Sequence, residues 1–168
     1  MKILKLTAEQ LREVLDYDPW TGGFTWRKAI SSHVVVGQLA GGPKPPKNYI
    51  WIRIDGQGHY AHRLAWLWMT GQWPIADVDH ENLKHDDNRW ENLRSASRSE
   101  NRCNTGLYRN SASGLKGVYF NQARGKWHAR ITKDGRTRSL GYFQTAIDAH
   151  HAYAAAAGVV HGSFSRTA

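Results

Sequence analysis

The stretch CNTGLYRNSASG, residues 103–114, most constrains how this chain can fold. It is polar and rich in Ser, Gly and Asn, a composition suited to a linker rather than to a packed element. The hydrophobic pattern differs on its two sides. We therefore expect two domains, 1–104 and 114–165, joined by a linker at 105–113; a chain of 168 residues suits such a division. The charge is also uneven. The whole chain carries +9, with +4 in residues 1–75, −2 in 76–105 and +7 in 106–168. Such a balance favours a polyanionic partner, nucleic acid or an anionic membrane surface. No run is long or apolar enough to span a bilayer. The Lys-rich opening MKILKLTAEQ has no apolar stretch behind it and does not read as a secretion signal. Cys103 is the only cysteine, which excludes an internal disulfide and a Cys-rich zinc site. These features predict a cytoplasmic protein.

Residues 1–104 alternate short elements. Thr7 with Gln10 forms a capping-box signature, and Leu11, Val14 and Leu15 continue with helical spacing until Asp18-Pro19. GGFTW begins a strand. Residues 37–48, GQLAGGPKPPKN, are too rich in Gly and Pro for a regular element. Ile50, Ile52 and Ile54 share one strand face, and Asp55-Gly56 signals a turn. HRLAWLWMTGQWP reads as a helix ended by Gly71 and Pro74. Within VDHENLKHDDNRWENLRSASRSEN, residues 78–101, the order is strand, polar loop, strand, helix. The first strand ends at His80, the second is NLRSA, and Ser97 with Glu100 caps the helix that carries Asn101.

That stretch holds the residue types that phosphodiester hydrolysis needs. A neutral His can activate water, and a divalent cation can neutralise charge on the phosphate. Asp79 and Asn101 offer oxygen ligands for a hard cation, and His80 is the candidate base. Asn92 could fix the loop or orient the imidazole. Taken singly, each residue has a plainer role: a turn pair, a cap, a solvated helix position. His85 has no evident partner, and His62 is expected to pack or hydrogen-bond locally.

Taken together, Asp79-His80, Asn92 twelve residues after His80 and Asn101 nine further on resemble the HNH endonuclease motif. The spacing is that of the intron-encoded and phage branch without structural zinc. The likeness extends to LREVLDYDPWTGGFTWR and AHRLAWLWMTGQWP and covers about residues 6–104. It implies a ββα-metal fold with the core motif at 76–104. Asp79 and Asn101 would hold one Mg²⁺ or Mn²⁺ per active centre, with no zinc, and His80 would activate water. Asn92 would be structural or orienting, and products would carry 5′-phosphate and 3′-hydroxyl ends. The loop lacks the glycine often found there.

Beyond the linker, KGVYF, KWHARIT and TRSLGYF read as three strands, with a hairpin turn at Asp134-Gly135. Thr145 with Asp148 caps a final Ala-rich helix, and Gly158 stands where its end is expected. Ala146, Ala149, Tyr153 and Ala156 share one helix face. Parity turns Trp127, Ala129, Ile131, Val118 and Phe120 inward. It turns Tyr119, Asn121, His128, Arg130 and Thr132 outward, where they suit phosphates and base edges. Arg124, Lys126 and Arg136 near the turns suit backbone phosphates. The plainer reading is a soluble sheet with a polar outer face. Gly117-Val118, Gly125-Lys126-Trp127, Leu140-Gly141 and the Ala-rich helix resemble the Apetala/ethylene-response-factor DNA-binding domain, over about residues 113–165. This implies a sheet that docks in the major groove, with Ser139 added to the groove-facing set. Tyr119, Asn121 and Ser139 replace base-contacting residues of the plant domains, so the target sequence is not inherited. Arg138 shares the parity of Leu140 and faces outward only if a bulge intervenes.

The fold class expected is therefore α+β: an N-terminal HNH ββα-metal domain, then a small three-stranded antiparallel sheet with one helix. The expected function is site-directed cleavage of double-stranded DNA, homing type, by a monomer in the cytoplasm of a bacterial or phage-infected cell. A DNA-binding regulator with a silent nuclease centre is the alternative. RNA binding through the sheet is a third, disfavoured by few aromatics on the expected outer face.

Overall fold

The computed structural model describes residues 6–107, 111, 113–165 and 167; part of the expected linker, residues 108–110 and 112, lies outside them. The chain is mixed α and β and separates into two compact units, residues 1–95 and 96–168. No described helix is long and apolar enough to cross a membrane.

The first unit begins with α1 (Ala8–Val14), closed at its start by the Thr7–Gln10 capping box. The helix is shorter than its sequence spacing suggests. Leu15 leaves it with φ −126° and ψ 158° and opens β1 (Leu15–Tyr17), antiparallel to β2 (Phe24–Trp26). Leu15 is still fully buried, so the same apolar residue serves the core from a strand. A second sheet runs in the order β3 (Gly42–Lys44), β4 (Tyr49–Ile54), β5 (Gln57–Tyr60). β3 corrects the expectation that 37–48 holds no regular element: Gly42 pairs with Trp51 and Lys44 with Tyr49. A three-residue edge strand tolerates Pro43 because the proline lacks only one ladder donor. Asp55 and Gly56 form the expected turn with positive φ at both residues.

α2 (Ala61–Thr70) follows and is closed by Gly71 in the left-handed conformation. Leu11, Leu15, Ile52, Leu64 and Leu67 are fully buried in one cluster with Phe24 and Tyr17. Each such side chain contributes about 1.5–3 kcal/mol when removed from water. β6 (Asp77–His80) and β7 (Leu93–Ala96) pair in a two-stranded sheet, and Val78 and Leu93 anchor it to the same cluster. Asp79 and His80 are thus fixed by a strand that Val78 anchors in the core.

In the second unit, α3 (Arg98–Cys103) starts at the Ser97–Glu100 capping box. The Ser99 hydroxyl accepts from the Asp134 amide at the hairpin tip, and Lys116 donates to the Cys103 and Thr105 carbonyls. β8 (Val118–Asn121), β9 (Lys126–Lys133) and β10 (Arg136–Phe143) form an antiparallel sheet with β9 in the centre. α4 (Ala146–His161) covers one face through Ala149, Tyr153 and Ala157. It passes through Gly158, continues through Val159, Val160 and His161, and is capped by Gly162. Gly117, at φ +75°, lets Tyr153 lie close; a Cβ there would come within 2.0 Å of the Tyr153 ring.

Candidate active site

Asp79 and His80 are both buried, at 5% and 2% exposure. Burial of a polar pair is costly unless it is hydrogen-bonded. Asp79 Oδ2 accepts from Arg94 Nε and Nη2, each at 3.1 Å, from the neighbouring strand β7. His80 Nε2 lies 3.2 Å from Asn88 Oδ1. The amide orientation follows from its other bond: Asn88 Nδ2 donates to the Asp86 carbonyl at 3.1 Å. Oδ1 is therefore the acceptor, His80 Nε2 carries the hydrogen, and Nδ1 is the basic nitrogen. Burial holds the His80 pKa below its ordinary value, against the opposing bond to Asn88; the charge of His85 lowers it further. A neutral imidazole with one defined lone pair is what a general base requires.

Asn88 was not apparent in the sequence. It is 2% exposed, and its carbonyl accepts from the Tyr17 hydroxyl at 2.7 Å. Gly22 permits this approach. Its φ is +76°, and a Cβ would meet Arg89 N at 2.4 Å and the Asn88 carbonyl carbon at 2.5 Å. The Trp90 amide donates to the Pro19 carbonyl at 2.9 Å. The turn before β2 therefore presses the 81–89 loop into shape.

Asn92 binds that loop at two points. Its Nδ2 donates to the Asp87 carbonyl at 2.7 Å, and its Oδ1 accepts from the Asn82 amide at 3.0 Å. Asp87 is itself held by Arg89 at 2.9 Å and by Asn82 Nδ2 at 2.7 Å. The bonds from Arg89, followed by those from Asn82, bring its pKa down to about 2. Leu83 in the same loop takes the left-handed conformation, φ 64°. Such a φ is unfavourable for a side chain with a Cβ and is held by the surrounding bonds.

His85 does have neighbours, contrary to the sequence expectation. Its ring centroid is 5.8 Å from that of His80 and 4.2 Å from that of Tyr49. His62 packs among Tyr49, Tyr60 and His80, but its buried Nδ1 has no hydrogen-bond partner. Asn101 is half-buried on α3, in the second unit, whereas Asp79, His80 and Asn92 belong to the first. Among the described residues no group of three or more His, Cys, Asp or Glu is disposed to hold a metal. Taken separately, Asp79 and Asn101 each carry an oxygen donor of the kind a hard, largely hydrated cation takes, and Oδ2 of Asp79 is bound to Arg94.

The outer face of the three-stranded sheet is pre-ordered. Tyr119 and Tyr142 flank His128 on the adjacent strands. Tyr142 stacks on His128 at 4.3 Å, and the guanidinium of Arg124 lies 4.5 Å from the Tyr142 ring. Arg130 lies 3.9 Å over Tyr119. His128 bonds Ser139 at 2.9 Å, and Thr132 bonds Thr137 at 2.8 Å. Partial burial, then the charges of Arg130 and Arg124, lower the His128 pKa. A bulge between Ser139 and Gly141 shifts the register, so that Ser139 opposes Arg130 and Tyr142 opposes His128. This is why parity alone missed Tyr142. Arg138 opposes Ile131 and is exposed, while Leu140 reaches the core. Asn121 spends its side chain on a cap, accepting from the Arg124 amide at 3.0 Å. Lys126 is half-buried and Arg136 is exposed at the hairpin. Phe120, expected inward, is 49% exposed and meets the edge of Trp127 at 5.1 Å.

A buried Asp-His pair at a strand end, backed by a second strand and an orienting amide, defines a candidate hydrolytic centre. Residues 59–103 match the family model for HNH endonuclease, which supports nuclease and hydrolase activity in general and DNA as the substrate. No curated protein and no solved structure matches the chain.

Proposed function

We propose that this protein is a metal-dependent, site-directed endonuclease of the homing type that acts on double-stranded DNA. The observation that carries the proposal is the buried His80 imidazole, fixed in one tautomer by Asn88 with its pKa lowered by burial, beside the Asp79 carboxylate. His80 Nδ1 takes a proton from water as its oxygen attacks phosphorus. The bond from phosphorus to the 3′ oxygen breaks, leaving a 5′-phosphate and, after protonation from solvent, a 3′-hydroxyl. Asp79 and Asn101 would hold one Mg²⁺ or Mn²⁺, which would supply charge neutralisation at the phosphate. Asn92 keeps the loop in shape through the bonds to Asn82 and Asp87.

One centre per chain gives a nick by a monomer. The domain comprising 114–165 provides the address, following its likeness to the Apetala/ethylene-response-factor domain. Its outer face docks in the major groove, with Tyr119, His128, Arg130, Thr132 and Ser139 toward the bases. Arg124, Lys126 and Arg136 contact phosphates. Support comes from the ordered aromatic and guanidinium face described above.

The test is a nicking assay on supercoiled DNA with wild type and His80→Ala, with Mg²⁺ or chelator. Relaxed product that needs metal and is lost in the variant, while salt-sensitive binding persists, is the expected outcome. Equal loss of binding and cleavage would make His80 structural. Binding by both proteins with no cleavage would favour a DNA-binding regulator.

A further inference from the structure

The cleavage reading employs one imidazole, yet a second is seated beside it. His85 lies in the loop after β6, with its ring centroid 5.8 Å from that of His80. Its Nδ1 is 2.9 Å from the Lys47 carbonyl oxygen, in the turn between β3 and β4. A carbonyl oxygen only accepts, so Nδ1 carries a hydrogen and donates it. Tyr49 stacks on the ring at 4.2 Å with the planes 20° apart. Tyr49 also tilts against His80 at 5.7 Å, so one aromatic ring braces both imidazoles. The other nitrogen of His85, Nε2, has no hydrogen-bond partner among the described residues. The residue is only half-buried and open to an external ligand.

We propose that His85 binds a backbone phosphate of the DNA through Nε2, next to the phosphodiester on which His80 acts; the position of that phosphate rests on the assignment of His80 as the base. With Nδ1 committed as a donor, Nε2 can donate only in the imidazolium form. A phosphate oxygen is the ligand that favours this form, by charge and by acceptance of the hydrogen bond. A metal is the less suitable ligand here, since no described cluster of three or more His, Cys, Asp or Glu accompanies it. The contact fixes substrate rather than transferring its proton.

The experiment uses the full chain and measures duplex DNA binding without metal over a range of KCl, alongside nicking of supercoiled DNA with Mg²⁺. His85→Ala should weaken binding by roughly tenfold to a hundredfold, the effect of losing a hydrogen bond to a charged group. The slope of log affinity against log salt should become shallower by about 0.9, the signature of one phosphate contact. His85→Gln keeps a side-chain donor for the Lys47 carbonyl but no charge. It should retain the wild-type melting temperature and still lose the slope. His85→Lys should restore the slope. Unchanged slopes in His85→Gln and His85→Ala would overturn the inference, even if His80→Ala abolishes nicking. Conversely, a lost phosphate contact in His85→Gln together with a wild type that binds but never nicks would uphold the contact and refute the nuclease reading.

Discussion

Acidification should cost the first unit stability through one buried side chain. His62 is 7% exposed, in van der Waals company with Tyr49, Tyr60 and His80, and its Nδ1 has no partner. Burial is the largest cause of a pKa lowered to about 3, and the charges of His80, Arg63 and His85 act in the same direction. The unfolded chain, at an ordinary value near 6.5, binds a proton that the folded chain refuses. Stability is therefore full above about pH 6.5 and falls as pH drops toward the folded value. Each pH unit in that window costs about 1.4 kcal/mol, so His62 alone removes about 2 kcal/mol between pH 7.5 and pH 5. Every tryptophan but Trp127 lies in the first unit, so urea unfolding followed by tryptophan fluorescence reads that unit. The comparison is with His62→Phe, which keeps a flat ring and removes the titration. The variant should lose about 2 kcal/mol less than wild type over the same pH range. Carboxylates and His80 contribute to both proteins and cancel to first order. Parallel pH dependences would show that the imidazole is hydrated or protonated in the folded state and would refute the reasoning.

The orienting amide should have a readable signature in the pH profile of cleavage. The bond from Asn88 raises the His80 pKa against burial, so Asn88→Ala should slow nicking by roughly ten- to a hundredfold and move the acid limb to lower pH. Asn88→Asp should move that limb to higher pH; limbs that shift together, or not at all, would separate His80 from Asn88. Gly22→Ala should destabilise the first unit by more than about 1 kcal/mol, because positive φ and contact with Asn88 and Arg89 coincide there. Urea midpoints check this, and a neutral change would mean that the loop moves freely. On the sheet, Tyr142→Ala removes the ring beneath Arg124 and beside His128. It should weaken duplex binding by at least severalfold in a fluorescence anisotropy titration, whereas an unchanged affinity would remove that face from the interface.

What the sequence made legible was whatever depends on local spacing. Thr7–Gln10, Ser97–Glu100 and Asp134-Gly135 act within four residues, and the structure forms each as its residue types dictate. Asp79 and His80 were visible for the same reason, as neighbours at the end of a short strand. Asn88 was not, because its role depends on contacts with the Tyr17 hydroxyl and the His80 ring, which adjoin it only after folding. His85 was overlooked likewise: its anchor is the Lys47 carbonyl, and a backbone acceptor leaves no mark in a side-chain pattern. Tyr142 failed on register. Strand parity assumes an unbroken ladder, and one bulged residue at Leu140–Gly141 reverses the facing of everything after it. The same bulge puts Leu140 in the core and brings Tyr142 against His128, so a single irregularity both completes the packing and assembles the outer face. Its two consequences can be separated by experiment. Deletion of Leu140, the extra residue, keeps Tyr142 opposite His128 but removes a side chain packed on the core, so it should lower the urea midpoint, while Tyr142→Ala alters only the face.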